Sequence, residues 1–358
     1  MAHCRVMIPT ISNAGRSASC IMVLSNPMAS LEPENRLVIL IPVFNDWEAL
    51  ELLLADLDRT LAQCPMLPQV LIVDDGSTAP IPSTLEDQPY RTLRSVEILR
   101  LRRNLGHQRA IAVGFVFVQQ SIPCEAVVLM DGDGEDLPQS VLLLVDRFCH
   151  QKQDRIVFAA RAKRLERWWF RLFYHAYRLA HRLVTGAPVR VGNFSLVPRG
   201  TLEQLVVVPE IWNHYAAAAI RAALPYENIP INRGRRLVGQ SKMNPIGLLL
   251  HGLSAIFVYA DIVGARLFVG AVFLTVLAAA TAAIAIVASL TARPALSGWP
   301  VYVAGILCII LLQAVMLSLV LVFSVIGGRV NSSFLPVRDC PYFVSGVRKI
   351  FPGGTGPS

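Results

Sequence analysis

Apolar and polar positions follow a strand-then-helix pattern over the first half of the chain. A continuous apolar run at residues 36–43 predicts a strand buried on both faces, and amphipathic spacing at 47–63 predicts the helix after it. The pattern repeats, with strands predicted at 70–73, 96–101, 127–130 and 156–160 and helices at 108–120 and 138–149. Strands that alternate with helices predict an α/β fold with a mostly parallel sheet.

Beyond residue 160 the pattern changes. Residues 161–185 repeat arginines and aromatic rings at three- and four-residue steps, which predicts a basic amphipathic helix in a bilayer interface. A surface helix packed on the sheet is the alternative. Residues 192–197 are predicted to return to the sheet, 209–224 to be helical, and 243–264 to form a second interfacial helix.

Two long apolar segments follow toward the C-terminal end of the chain. Residues 267–290 and 301–326 contain no charged residue, and each is long enough to cross the roughly 30 Å of bilayer hydrocarbon. We therefore predict transmembrane helices at 265–290 and 299–327, the alternative being a buried core hairpin. Cations flank the pair on its outer sides, which places the soluble domain (33–242) and both termini in the cytoplasm, at the inner membrane. Residues 1–32 and 328–358 are predicted to be tails, the first of them disordered.

Composition agrees with a membrane protein. The 358 residues are 54% hydrophobic, and the formal net charge is +8. That charge suits an anionic partner. Because two spans are predicted, we expect membrane lipid and not nucleic acid to be that partner. The seven cysteines are scattered, which is typical of free thiols in a reducing compartment.

The chemistry-bearing residues concentrate at predicted strand ends. After the strand at 127–130, Asp131 and Asp133 alternate with glycines, so both carboxylates can turn toward one hard cation such as Mg²⁺ or Mn²⁺. A solvated acidic turn is the alternative interpretation. Asp74 and Asp75 end another strand, where a carboxylate can bind ribose hydroxyls or a base edge. Neither a P-loop nor a GxGxxG motif is present, which disfavours ATPase and dehydrogenase functions and leaves a sugar nucleotide.

The ordered motifs carry a specific resemblance. They are PVFND at 42–46, VDDGST at 73–78, RNLG at 103–106 and DGDGEDLP at 131–138. Together they resemble a family 2 glycosyltransferase, whose fold is GT-A, a Rossmann-like α/β fold. GQSK at 239–242 followed by two spans resembles the polyprenyl-phosphate glycosyltransferases, the group of dolichol-phosphate mannose synthase and bactoprenol glucosyltransferases.

That resemblance implies roles for individual residues. Asp131, Asp133 and Glu135 would surround the metal, and Asp131, Asp133 and Lys242 would be catalytic. The nucleotide sugar, UDP- or GDP-linked, would be bound by Pro42, Phe44, Asn45, Asp74, Asp75, Ser77, Asn104 and Gly106. The acceptor and phosphates would be bound by Arg161, Arg164, Asn193, Arg236, Ser241 and Lys242. The reaction would invert the anomeric centre, the acceptor would be a polyprenyl (undecaprenyl or dolichyl) monophosphate, and a homo-oligomer is expected.

The sequence departs from the family at three positions. Glu135 replaces a common Gln, Asp46 replaces a common Glu, and Asn193 stands where many relatives have an Asp proposed as a base. A phosphate monoester already carries about −1.5 to −2 charge and needs no base, so Asn193 favours a phosphate acceptor. His107 is interpreted as a helix-start residue, and the arginines at 233–236 as a topology signal, although Arg236 is also an expected phosphate ligand.

Two other functions stay open. A polysaccharide transferase, processive or single-addition, would use a sugar hydroxyl as acceptor, but no Gln-x-x-Arg-Trp motif is present. A non-catalytic nucleotide-binding membrane scaffold would be expected to have lost its metal ligands, yet Asp131 and Asp133 are both retained.

Overall fold

The structure is a computed structural model that describes residues 35–85, 88–150, 154–161, 186, 192–238, 253–291, 299–330 and 334–352. Several predictions lie outside these ranges. They are the N-terminal tail, nearly all of the interfacial helix at 161–185, most of the one at 243–264, and the acceptor residues Arg164, Ser241 and Lys242. Arg161 is described as the last residue of a strand, without its side chain.

Eight strands form one sheet. In chain order they are β1 Arg36–Val43, β2 Leu67–Asp74, β3 Ser95–Leu101, β4 Ala126–Leu129, β5 Ile156–Arg161, β6 Ser195–Pro198, β7 Tyr226–Ile231 and β8 Val344–Phe351. Their order across the sheet is β7-β5-β6-β4-β1-β2-β3-β8. Neighbours β4-β1-β2-β3 are parallel, as are β5 and β7, whereas β6 and β8 run antiparallel to their neighbours. The predicted mostly parallel α/β sheet is confirmed.

The helices connect these strands. They are α1 Trp47–Thr60, α2 His107–Ser121, α3 Pro138–His150, α4 Arg199–Leu205, α5 Tyr215–Arg221, α6 Ala260–Thr291, α7 Trp299–Val330 and α8 Pro336–Asp339. The single helix predicted at 209–224 is wrong. A 3₁₀ turn at Pro209–Trp212 and α5 replace it, because His214 between them has extended backbone (φ −161°) and caps α5 by accepting from the Ala217 N–H.

Alternate residues of the central strands pack on opposite faces of the sheet. On β1, Leu37, Ile39 and Ile41 belong to the core beneath α1 and α3, while Val38 and Leu40 belong to the core beneath α2 and α5. All five are fully buried. Burial on both faces explains why β1 is apolar at every position from Leu37 to Val43 and not at every second one.

The C-terminal segment is not the tail that the sequence predicted. Val344–Phe351 forms β8, which pairs antiparallel with β3 at the sheet edge. Cys340 is fully buried in the core, and Trp212 stacks on Phe334 with ring centroids 4.1 Å apart. This strand was not predicted, because its residues are mostly exposed and lack a buried face. Its sequence therefore has no alternation of apolar and polar residues.

The two long helices α6 and α7 hold apolar segments of 25 residues (Ala260–Ile284) and 23 residues (Tyr302–Ser324). Only 11% and 0% of these segments is buried, so they are not core helices of a soluble domain. The start of α6 packs on the end of α7: a Cβ on Gly264 would lie 3.1 Å from Val322 Cγ2. By length and composition both helices can cross a membrane.

Candidate active site

The carboxyl ends of β1 and β2 lie side by side, since Val43 is in register with Asp74. Asn45, just beyond β1, has a left-handed backbone (φ 53°) that turns its side chain toward the β2 loop. Its Oδ1 accepts from the Thr78 and Ala79 N–H groups, each at 2.9 Å, and its own N–H donates to Ser77 Oγ at 2.9 Å. Phe44 beside it is 40% exposed, and Pro42 lies one residue inside β1.

Asp74 and Asp75 are 1% and 3% exposed, and both are satisfied by backbone donors. Asp74 Oδ1 accepts from the Ser77 N–H at 2.8 Å. Asp75 accepts from the N–H groups of Leu105 (2.7 Å) and Gly106 (2.9 Å). Burial raises the pKa of Asp75, and these two donors offset only part of that shift. Asp75 therefore ties the β2 loop to the β3–α2 loop.

Gly76 allows the β2 loop to approach the β3–α2 loop closely. Its φ is +69°, and a Cβ there would lie 2.6 Å from the backbone nitrogen of Asn104. No other residue type fits, because both the conformation and the space exclude a side chain. The predicted nucleotide residues thus meet at one end of the sheet, from Pro42 through Ser77 to Asn104 and Gly106.

The second acidic loop, Asp131–Asp136, follows β4 and is partly exposed. Its internal bonds shape a turn: Asp131 N–H donates to Asp136 Oδ2 at 3.0 Å, and Glu135 N–H donates to Asp133 Oδ1 at 3.0 Å. Burial, and then the charge of Asp131, raises the pKa of Asp136 to about 7.

Residues 232–238, here called the arginine strap, cover this loop. Arg233 pairs with Glu135 and lies 4.0 Å from Asp131 Oδ2, and Arg236 pairs with Asp46 and lies 3.3 Å from Asp133 Oδ2. Backbone bonds hold the strap down, since Gly234 N–H donates to Glu135 O (2.8 Å) and Leu237 N–H to Asp133 O (3.0 Å). Asp46, which precedes α1, makes no side-chain cap bond to that helix and pairs with Arg236.

The predicted metal ligands do not converge among the described residues, where no group of three His, Cys, Asp or Glu side chains could hold a metal ion. Basic side chains of the protein face them instead: His107 faces Asp131, Arg236 faces Asp133 and Arg233 faces Glu135. The donor set still fits Mg²⁺ or Mn²⁺, because the alternate aspartates supply hard oxygen ligands on one turn. Glu135 fits less well, since the strap engages it.

A polar network joins Asp131 to Asn193, which the resemblance predicts to bind the acceptor. His107 Nε2 lies 3.3 Å from Asp131 Oδ1 and 3.2 Å from Asn193 Nδ2. Burial lowers the pKa of His107, but the hydrogen bond and charge of Asp131 outweigh burial, so the pKa is raised overall. Gln108 Nε2 donates to Asn193 Oδ1 at 3.2 Å. Sequence reasoning interpreted His107 as a helix-start residue and Arg233 as part of a topology signal, and it did not single out Gln108; the signal for Arg233 was a basic, glycine-containing run at 232–236.

The residues at the ends of β1 and β2 and the acidic loop after β4 thus lie at the same edge of the sheet, where Arg236 contacts both Asp46 and Asp133. Residues 38–206 match the family described as Glycosyl transferase family 2. The chain carries a family 2 glycosyltransferase domain and is a glycosyltransferase.

Curated relatives agree. An uncharacterized glycosyltransferase of Synechocystis sp. is 27% identical over 227 residues, covering 63% of this chain and 69% of that protein. An undecaprenyl-phosphate 4-deoxy-4-formamido-L-arabinose transferase of Enterobacter sp. is 26% identical over 237 residues, covering 62% and 67%. The protein of that name from Serratia proteamaculans is 31% identical over 148 residues, covering 40% and 42%.

Solved structures are more distant. Mannosyl-3-phosphoglycerate synthase of Rubrobacter xylanophilus has a TM-score of 0.44 at 12% identity, covering 63% of this chain and 72% of that one. Glucosyl-3-phosphoglycerate synthase of Mycobacterium tuberculosis, in complex with UDP, has a TM-score of 0.43 at 15% identity, covering 64% and 80%. At these scores the fold assignment rests on the sheet topology and the family match.

Proposed function

We propose that this protein is an inverting, metal-dependent transferase that moves a sugar from a UDP- or GDP-linked donor to a polyprenyl monophosphate at the cytoplasmic face of the membrane. The observation that supports it best is the strap over the acidic loop. Arg233 and Arg236 pair with the loop acids, and the same segment leads within a short stretch of chain to the apolar helix α6. In the proposed arrangement, the loop acids that would hold the donor are in contact with the arginine strap, the basic segment that precedes the first membrane helix.

The relatives support the same acceptor class, since two of them are named undecaprenyl-phosphate transferases. The fold supports a site that is reached from one side of the membrane only. Because β3 and β8 are hydrogen-bonded in one sheet, the chain that leaves through α6 returns through α7 to the same side. Two spans satisfy that requirement, and the crevice then faces one leaflet only.

The reaction needs two anions held together. An acceptor phosphate oxygen attacks the anomeric carbon from the face opposite the diphosphate, the bond from that carbon to the diphosphate oxygen breaks, and a nucleoside diphosphate leaves. Asp131 and Asp133 would hold the divalent cation, which offsets charge on the leaving diphosphate. Arg236, already 3.3 Å from Asp133, can exchange that carboxylate for a phosphate. No base is required, because the phosphate is ionised at neutral pH.

The test uses purified protein in detergent with undecaprenyl phosphate, Mn²⁺ or Mg²⁺, and a panel of radiolabelled UDP- and GDP-sugars. We expect label in the organic phase with one donor, and none after chelation of the metal. Nucleotide release without lipid labelling would instead favour a sugar hydroxyl acceptor, as in a polysaccharide transferase. Donor binding without turnover of any donor would favour a non-catalytic scaffold.

A further inference from the structure

The orientation of the Asn193 amide is fixed from outside the site. The backbone N–H of Tyr215 can only donate, and it donates to Gln108 Oε1 at 2.8 Å. The other end of the Gln108 amide is therefore its NH₂ group, which donates to Asn193 Oδ1 at 3.2 Å. Since the Asn193 oxygen faces Gln108, its NH₂ group must face the other way.

The NH₂ group of Asn193 therefore faces His107 and Asp131, where the reaction is proposed to occur. Asn193 Nδ2 lies 3.2 Å from His107 Nε2, which in turn lies 3.3 Å from Asp131 Oδ1. His107 Nε2 accepts from this amide only when it is unprotonated, and when protonated it donates to Asp131 instead. Because an amide nitrogen carries two hydrogens, at least one N–H remains for a substrate in either state. Residue 193 thus presents a hydrogen-bond donor beside the predicted metal carboxylate.

The surrounding structure holds this arrangement rigidly. Ser195 Oγ donates to the backbone carbonyl of Asn193 at 2.9 Å and lies 2.8 Å from the Tyr215 hydroxyl. Tyr215 is fully buried, with its ring centroid 5.0 Å from that of Phe115. Gln108 is 9% exposed. A buried polar group with satisfied partners has little freedom to rotate.

We propose that Gln108 is a positioning residue: it fixes the Asn193 amide so that its N–H groups, and not its carbonyl, face the acceptor phosphate. This inference rests on the proposed function. A donor at this position suits a dianionic phosphate, whereas a carboxylate there would repel it and would suit a hydroxyl that must lose a proton. Gln108 thereby helps to select the class of acceptor.

Gln108→Glu tests the proposal with little change of shape. A carboxylate still accepts from the Tyr215 N–H, but it cannot donate to Asn193 Oδ1, so the Asn193 amide turns and presents its carbonyl to the cleft. We expect the affinity for farnesyl phosphate, measured by calorimetry on the full-length protein in detergent, to fall roughly tenfold or more, because a hydrogen bond to a charged group is lost. Affinity for UDP or GDP with Mn²⁺ should stay within about twofold of the wild type.

Two comparisons separate positioning from a general structural effect. Gln119→Glu, the same change near the far end of α2, should bind farnesyl phosphate as the wild type does. In an Asn193→Ala background, Gln108→Glu should cause no further loss, because Gln108 acts through Asn193. If Gln108→Glu fails to fold, Asn193→Asp carries the test, since it also replaces the donor by an acceptor and should weaken farnesyl phosphate binding at least as strongly.

The proposal is overturned if Gln108→Glu or Asn193→Asp binds farnesyl phosphate with wild-type affinity, or if the effects of Gln108→Glu and Asn193→Ala are additive. It is also overturned if the wild type does not bind farnesyl phosphate. Failure of the proposed function is distinguished by the label-transfer assay, in which the wild type would then label no lipid with any donor.

Discussion

Two acidic loops, one after β2 and one after β4 on either side of β1, have similar sequences and different structures. After β2, Asp74 and Asp75 are almost fully buried, and backbone N–H groups donate to Asp74 Oδ1 and to both oxygens of Asp75, with Arg100 Nε 3.6 Å from Asp74 Oδ2. After β4, Asp131 and Asp133 are partly exposed; Asp133 Oδ1 accepts from the Glu135 N–H, and the basic side chains of His107 and Arg236, from other elements, face the two acids. Backbone donors at Asp75 cannot leave without unfolding a loop, whereas His107 and Arg236 can rotate away.

This difference separates two uses of a carboxylate. A buried acid that accepts from backbone N–H groups organises the fold, since removing it leaves buried donors unsatisfied. A partly exposed acid paired with mobile cations can exchange them for a metal or a substrate. We therefore expect changes after β4 to alter chemistry, and changes after β2 to alter stability.

The largest expected effect is on catalysis. Asp133→Ala should lower sugar transfer by about 10³-fold, in the range found when a group that stabilises transition-state charge is removed. Its melting temperature should change little, because Arg236 keeps its pairing with Asp46. Label transfer and thermal unfolding of the same preparation measure both. Retention of more than a tenth of the wild-type rate would show that Asp133 is not a metal ligand.

Asp75→Ala should act in the opposite way. Two buried backbone N–H groups, those of Leu105 and Gly106, lose their acceptor, which costs roughly 2–4 kcal/mol of folding free energy. Denaturant unfolding in detergent would measure this, with Asp75→Asn as the control that keeps one acceptor oxygen and about half of the stability. An unchanged unfolding midpoint with lost nucleotide binding would instead assign Asp75 to the nucleoside.

The glycines of the two loops sharpen the comparison. Gly76→Ala places a Cβ 2.6 Å from backbone atoms that cannot move. Gly134→Ala places a Cβ against the side chain of Leu237 in the strap, and that side chain can move. Both have positive φ, so both substitutions are strained. We expect Gly76→Ala to cost about 2–3 kcal/mol and Gly134→Ala about 1–2 kcal/mol. Equal losses in unfolding measurements would mean that the strap is as rigid as the β2 loop.

The smallest effect concerns the pair between Arg233 and Glu135. Both side chains are 28% exposed, so their coupling should be about 0.5–1 kcal/mol in a double-mutant cycle of Arg233→Gln and Glu135→Gln. Glu135→Gln alone should leave the Mn²⁺ affinity within about threefold, because Glu135 serves the strap. A tenfold loss of Mn²⁺ affinity, measured by electron paramagnetic resonance, would restore Glu135 as a metal ligand.

The elements up to residue 161 were largely predictable because their signals are local. The buried strand β1 was predicted with the bounds that the structure has, and the other strands and helices differ by up to three residues. Asp74 and Asp75 followed from a strand end, whereas the full set of predicted nucleotide residues, from Pro42 to Gly106, came from the resemblance to the family. The roles of Asp75 and Glu135 did not, since their partners Leu105 and Arg233 are distant in sequence.

By itself, the sequence determined the parallel α/β sheet, the two apolar helices and the place of the acidic loop, because apolar periodicity and chain direction are properties of consecutive residues. Only the tertiary structure decided that Val344–Phe351 completes the sheet, that the arginine strap neutralises the loop, and that Gln108 orients Asn193. Each of these depends on a contact across 80 or more residues, for which neither composition nor period carries a signal.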